Sequence, residues 1–236
     1  MKIFLTSLSF LAATLSFAQD AGSSSDTMPA TETALDAAFA MGSGYSSQAL
    51  SAYRTHGLGE SNRFRIGYGL RISAFAGQNL DYITAPFQLS ADPLTVDTLT
   101  LGSPVTAGLS AGIHLGYCFS HKLSIGFNID ALGVGFGASD QGTFISSDND
   151  GSYPEVIDAN PTGVNVLLVG DNDIGQLKSE FVMAYTLNEE WRVRTGADFT
   201  FSEYTTTSIL TNDNDRFRYK AFMAFVGVSY IVGSTD

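Results

Sequence analysis

Hydrophobic and polar positions alternate along most of the chain. From Val105 onward, Val105, Ala107, Leu109, Ala111, Ile113, Leu115, Tyr117 and Phe119 are apolar, while Thr106, Gly108, Ser110, Gly112, His114, Gly116 and Cys118 between them are small or polar. A period of two is the signature of a strand, whose successive side chains point to opposite faces. Residues 98–121 contain no Lys, Arg, Asp or Glu, and Gly108, Gly112 and Gly116 have the spacing of a transmembrane helix-packing motif. A four-residue spacing is also an even spacing. The same glycines therefore share one strand face, opposite a wholly apolar one, and the pattern predicts a strand.

The alternation recurs. Phe64, Ile66, Tyr68, Leu70, Ile72 and Ala74 oppose Arg65, Gly67, Gly69, Arg71 and Ser73. Leu123, Ile125, Phe127 and Ile129 oppose Ser124, Gly126, Asn128 and Asp130, and Phe181, Met183 and Tyr185 oppose Lys178, Glu180 and Thr186. Trp191, Val193, Thr195, Ala197, Phe199 and Phe201 oppose Arg192, Arg194, Gly196, Asp198, Thr200 and Ser202, and a last strand carries Phe222, Ala224, Val226, Val228, Tyr230 and Val232. With two less regular segments, 35–42 and 48–58, the expected count is eight. Strands of ~12 to 16 residues exceed the ~5 to 6 usual in soluble domains and cover the ~9 to 11 a tilted strand needs to cross a bilayer. Short connections at 59–62, 120–122 and 188–190 alternate with long ones at 78–104, 139–173 and 205–215, as periplasmic turns alternate with extracellular loops in outer-membrane barrels.

On these features the chain resembles the small outer-membrane β-barrel proteins of Gram-negative bacteria, of the kind represented by the OmpA membrane domain and OmpX. The resemblance is architectural and includes no subfamily motif. It implies an all-β, eight-stranded antiparallel up-and-down transmembrane barrel in the outer membrane, in contact with outer-membrane lipid. The chain departs from that pattern at its end, where Gly233, Ser234, Thr235 and Asp236 follow the last apolar residue.

Composition agrees with export. Lys2, the apolar run 3–17 and the small residues Ser16 and Ala18 read as a signal peptide over 1–18. A polar stretch at 19–33 reads as a flexible leader, and 34–233 as one barrel domain. Lys+Arg total 12 against 24 Asp+Glu, a net charge of −12, which excludes a nucleic-acid partner. The lone Cys118 excludes an internal disulfide.

The alternation alone leaves open an exported soluble barrel that binds a small apolar ligand, with its apolar faces turned inward. The polar faces favour the membrane reading. They are Gly-rich and sparsely charged with both signs, so Arg65, Arg71, Asp130, Lys178, Glu180, Arg192, Arg194 and Asp198 are expected to form a charge network in a filled lumen. Trp191, Tyr185, Tyr117 and Phe119 lie beside the short turns, where an interfacial girdle belongs. Such a barrel is not an enzyme and needs no cofactor; its role is structural, or surface binding of a ligand or envelope protein through acidic loops. A third alternative, a lipid-modifying enzyme, rests on Ser110 and His114 sharing a face, without an orienting carboxylate. Asp-Asn-Asp occurs at 148–150, 171–173 and 213–215, and Asp148, Asp150 and Glu155 are candidate calcium ligands. The long loop 139–173 is the expected seat of recognition, and its β-prone stretch 163–169 is expected to extend the barrel wall or cap its mouth.

Overall fold

The computed structural model describes residues 27–148, 155–168 and 172–235. The expected signal peptide, 1–18, and most of the expected leader, 19–33, lie outside them. The fold is all-β and antiparallel, in one sheet of thirteen strands rather than the expected eight. In chain order these are β1 (Thr31–Met41), β2 (Tyr45–Leu58), β3 (Phe64–Gly77), β4 (Leu80–Thr84), β5 (Thr98–Leu101), β6 (Val105–Cys118), β7 (Leu123–Gly137), β8 (Asp140–Ile145), β9 (Val156–Pro161), β10 (Val164–Val166), β11 (Leu177–Thr186), β12 (Trp191–Thr206) and β13 (Arg216–Thr235).

The sheet closes on itself twice. The long strands pair in the circuit β1, β2, β3, β6, β7, β11, β12, β13 and back to β1. The upper ends of β12 and β13 also join a smaller circuit through β4, β5, β8 and β9. The five short strands account for the miscount, because each lies in a segment expected to be loop. The stretch 163–169 supplies β10, which pairs with the upper part of β7.

The boundary of the leader also changes. β1 begins at Thr31, inside the presumed leader, and the residues before it are pinned: Met28 is buried, its N–H donates to the Ser61 carbonyl, and Asn62 Nδ2 donates to the Met28 carbonyl. The connection between β1 and β2, residues 42–44, is a tight turn at the upper end, shorter than the gap between the segments 35–42 and 48–58. Gly44 there has φ +85°, a left-handed conformation that suits glycine.

The long strands turn their apolar faces outward. Leu109 is 45% exposed and its neighbour Ser110 only 2%; Ile66 is 43% exposed beside Arg65 at 8%, and Phe199 38% beside Asp198 at 0%. This excludes the inward apolar face that a soluble ligand-binding barrel requires. The apolar core lies at the upper end, where Tyr82, Leu99, Leu101, Phe144, Ile157, Tyr204 and Phe217 fill the smaller circuit. It continues down through Phe75, Met223 and Phe225 into the mouth of the larger one.

Candidate functional site in the barrel interior

Below that core the long-strand circuit is filled by charge. Arg71 Nη1 donates to Asp130 Oδ1 at 2.9 Å and to the Lys178 carbonyl at 3.2 Å. Its Nη2 donates to Asn128 Oδ1 and lies 3.5 Å from Glu180 Oε2. The same Glu180 oxygen accepts from Asn128 Nδ2 at 3.0 Å and from Arg194 Nη2 at 3.1 Å, while Arg194 Nη1 pairs with Asp36. Lys178 Nζ pairs with Asp198 and donates to Ser47 Oγ at 3.0 Å, and Asp198 Oδ1 accepts from Thr200 Oγ1 at 2.7 Å. All of these ionic side chains are buried.

Local sequence explains the convergence. Each charge sits on the small-residue face of its strand, and glycine leaves the space. A Cβ built on Gly112 would stand 2.8 Å from the Ile129 carbonyl oxygen and 3.5 Å from Asp130 Oδ1. A side chain there would press on the β7 backbone and on the carboxylate that Arg71 needs.

Toward the short turns the network loosens. Arg192 holds Glu32 through two bonds of 2.9 Å. Arg65 donates to Thr55 Oγ1 at 3.0 Å and to the Pro29 carbonyl at 2.8 Å, and so fastens the chain before β1 across the barrel mouth. A cavity of about 90 Å³, lined by Asp36, Tyr53, Arg65, His114 and Arg192, leads to a vestibule of about 390 Å³ at this end. Among the described residues, the interior cations Arg65, Arg71, Lys178, Arg192 and Arg194 face as many carboxylates: Glu32, Asp36, Asp130, Glu180 and Asp198. With the charges balanced, the interior favours neither cations nor anions.

All eight residues expected in the lumen network face the interior, but Arg65 bonds only hydroxyl and carbonyl oxygens there. Sequence reasoning missed Asp36, Glu32 and Asn128. Asp36 was detectable as the polar alternate of Leu35, Ala37 and Phe39 in β1. A second buried cluster, Glu203 with Arg216 and Arg218, lies on the outward face of β12 and β13 above the apolar belt and was also missed.

The other candidates do not assemble. Ser110 and His114 stand four residues apart on one strand, roughly 13 Å along it. Ser110 is buried opposite Arg71 and Gly133, and His114 stacks on Tyr53 at 4.6 Å, so no nucleophile and base meet. Asp148 and Glu155 are exposed on either side of a segment that contains Asp150, which lies outside the described residues. No group of three metal-ligating side chains occurs among the described residues.

In the upper module, burial raises the phenol pKa of Tyr82 despite its bond with Ser202 Oγ at 2.9 Å. Burial likewise pushes Tyr204 up to about 12, opposed by the backbone of Val105, whose N–H donates to its hydroxyl.

No known family and no curated protein matches the chain. Among solved structures it is similar at a low level to a CymD monoaromatic hydrocarbon channel, with 8% identity and a TM-score of 0.21 over 87% of this chain and 89% of that one. The Pseudomonas putida toluene transporter TodX gives 10% identity and a TM-score of 0.23 over 79% and 69%. Neither is of the OmpA or OmpX kind. Superposition at this level does not align two folds, so the assignments below rest on this chain's own geometry.

Proposed function

We propose that the chain is an integral outer-membrane β-barrel with a closed lumen that carries a folded module above the membrane. The observation that carries this reading is the polarity of the long-strand circuit, apolar toward the surroundings and ionic within. Ile66, Tyr68, Leu70, Leu109, Ile113, Phe181, Met183, Phe222 and Val226 are exposed together around the wall. Monomeric soluble proteins rarely expose contiguous apolar patches larger than a few hundred Å². In lipid the same surface is the favourable one, and ring closure leaves no sheet edge unpaired. No helix among the described residues is long and apolar enough to cross a membrane.

The interior argues against conduction. A solute would have to part the Arg71–Asp130 and Lys178–Asp198 pairs and then enter a packed apolar core. The barrel therefore serves as an anchor, and whatever the protein contacts outside the cell meets the upper module. Mature protein should remain with membranes through a urea wash, and in planar bilayers it should show no stepwise conductance. Recovery in the aqueous fraction without detergent would refute insertion, and ohmic steps would refute the closed lumen.

A further inference from the structure

We propose that the cavity at the lower end of the barrel binds a small carboxylate anion on Arg65. The proposal needs the closed ring of strands and not the lipid around it. Every other interior cation has a carboxylate partner: Arg192 pairs with Glu32, Arg194 with Asp36, Arg71 with Asp130 and Lys178 with Asp198. The fifth carboxylate, Glu180, lies deep in the network, 3.1 Å from Arg194 Nη2, 3.5 Å from Arg71 Nη2 and 3.8 Å from Lys178 Nζ. The fifth cation, Arg65, makes no ion pair. Equal numbers are therefore unequally distributed, and the surplus cation stands at the lower end.

Arg65 is 8% exposed and borders both the cavity of about 90 Å³ and the vestibule of about 390 Å³ below it. Its Nε donates to Thr55 Oγ1 at 3.0 Å, Nη1 to the Pro29 carbonyl at 2.8 Å and Nη2 to the Thr55 carbonyl at 3.4 Å. One N–H remains on each Nη, and a carboxylate can take one on each oxygen. A buried charge without a counter-ion is costly, and a bound anion removes that cost. Glu32, on the same walls, already gives both oxygens to Arg192. Around the opening, Arg63 and Lys122 stand against Glu60, Glu189 and Glu190, so the rim has no positive excess and the site takes its charge from Arg65. Size narrows the ligand. At ~10 to 15 Å³ for each water, the cavity has room for about six, the space of a two- or three-carbon carboxylate with part of its hydration. Cys118, the single cysteine of the chain, borders both spaces and serves as a reporter.

The test follows labelling of Cys118 in the folded mature chain in detergent, with an anionic sulfonatoethyl and a cationic trimethylammonioethyl methanethiosulfonate, each rate normalised to that of a free thiol. We expect the wild type to favour the anionic reagent about tenfold and Arg65→Gln to lose the preference. Sodium acetate should slow the anionic reagent about fivefold more than sodium chloride of equal ionic strength. Arg65→Lys keeps the charge without the paired donors, so it should keep the reagent preference and lose most of the protection by acetate. Asp26 and Asp236 lie outside the described residues, and Asp26→Asn/Asp236→Asn should leave both readings unchanged. Absence of labelling in the wild type, equal normalised rates for the two reagents, or equal protection by chloride and acetate would overturn the site, and these readings need no variant. Stronger protection by inorganic phosphate than by acetate would overturn the carboxylate assignment. A preference that rises in Asp26→Asn/Asp236→Asn would mean that the chain's own acids neutralise Arg65 and would overturn the site as well. Flotation with vesicles tests the membrane reading separately, and its failure would leave these readings standing.

Discussion

β12 and β13 each run through two environments, and their polarity inverts between them. In the lower part of β13 the outward residues Phe222, Val226, Val228 and Tyr230 are apolar, while Gly227 and Ser229 face inward. In its upper part Phe217 and Ala221 face inward, while Arg216, buried Arg218 and exposed Lys220 stand on the outward side; between the two parts, Met223 and Phe225 face inward behind Phe222 and Val226, so both faces are apolar there. β12 turns over in the same region, from inward Arg194 and Asp198 to inward Tyr204, and from outward Phe199 to outward Glu203. A strand offers two faces and each meets one solvent. Where lipid surrounds the wall the polar face goes in, and where water surrounds it the apolar face goes in. On the membrane reading proposed above, the reversal of the outward face between Phe222 and Lys220 would mark the membrane boundary within a continuous ladder.

The contrast can be broken from either side. Lys178→Met should destabilise the lower part by ~3 to 5 kcal/mol, because Asp198 loses its buried partner. Phe217→Ala should cost a similar ~3 to 5 kcal/mol, confined to the upper module, where its ring packs edge-on to Phe144. Proteolysis of the upper segments should rise in the second variant while vesicle protection of the long strands persists. Equal loss of protection in both parts would mean that the two circuits fold as one unit.

Leu109→Arg should cost ~2 to 4 kcal/mol for insertion, because it places a cation on the lipid face. Ser110→Arg, directly behind it, should also be resisted: Ser110 is buried, and its Oγ lies 2.6 Å from where a Cβ on Gly133 would stand. The two variants should differ in kind. Lipid-chain thickness should modulate the first and leave the second unchanged, as measured by folding into vesicles of graded thickness.

The upper module should also respond to alkali. A phenol pKa raised in the folded state means that the neutral form is favoured by folding. The associated stability is fully present below the unfolded value near ~10 and is lost as pH rises through the folded value, about 12 for Tyr204. Melting of the module followed by tyrosine absorbance should therefore fall in temperature between pH 10 and 12, and Tyr204→Phe should flatten that decline. The smallest effect is expected for Tyr82→Phe, which removes the bond with Ser202 and should cost about 1 kcal/mol.

Much of the lower barrel was legible in the sequence because its signal is long. A dozen alternating residues fix both strand and facing, and the charges on the small-residue faces of β3, β7, β11 and β12 then converge inside a closed ring. β1 was less legible, since Ala38 and Ala40 blur its alternation and hide Asp36 and Glu32. The upper module was not legible. β4, β5 and β10 span five, four and three residues, too few for a period to emerge from turn-forming neighbours. Its polarity is also reversed, so Arg216, Arg218 and Glu203 continue β12 and β13 with the opposite code and resemble the start of a loop. Asp148 and Glu155 read as calcium ligands on composition alone, and no third ligand joins them among the described residues.

The inversion is tested most directly by a nitroxide scan of β13 from Arg216 to Val232 in reconstituted vesicles, comparing collision with lipid-soluble oxygen and with a water-soluble nickel chelate. The account predicts oxygen accessibility with a period of two at 222, 224, 226, 228, 230 and 232, and nickel accessibility at 216 and 220. Nickel accessibility at alternate positions along the whole strand, without an oxygen maximum near Val226, would contradict it.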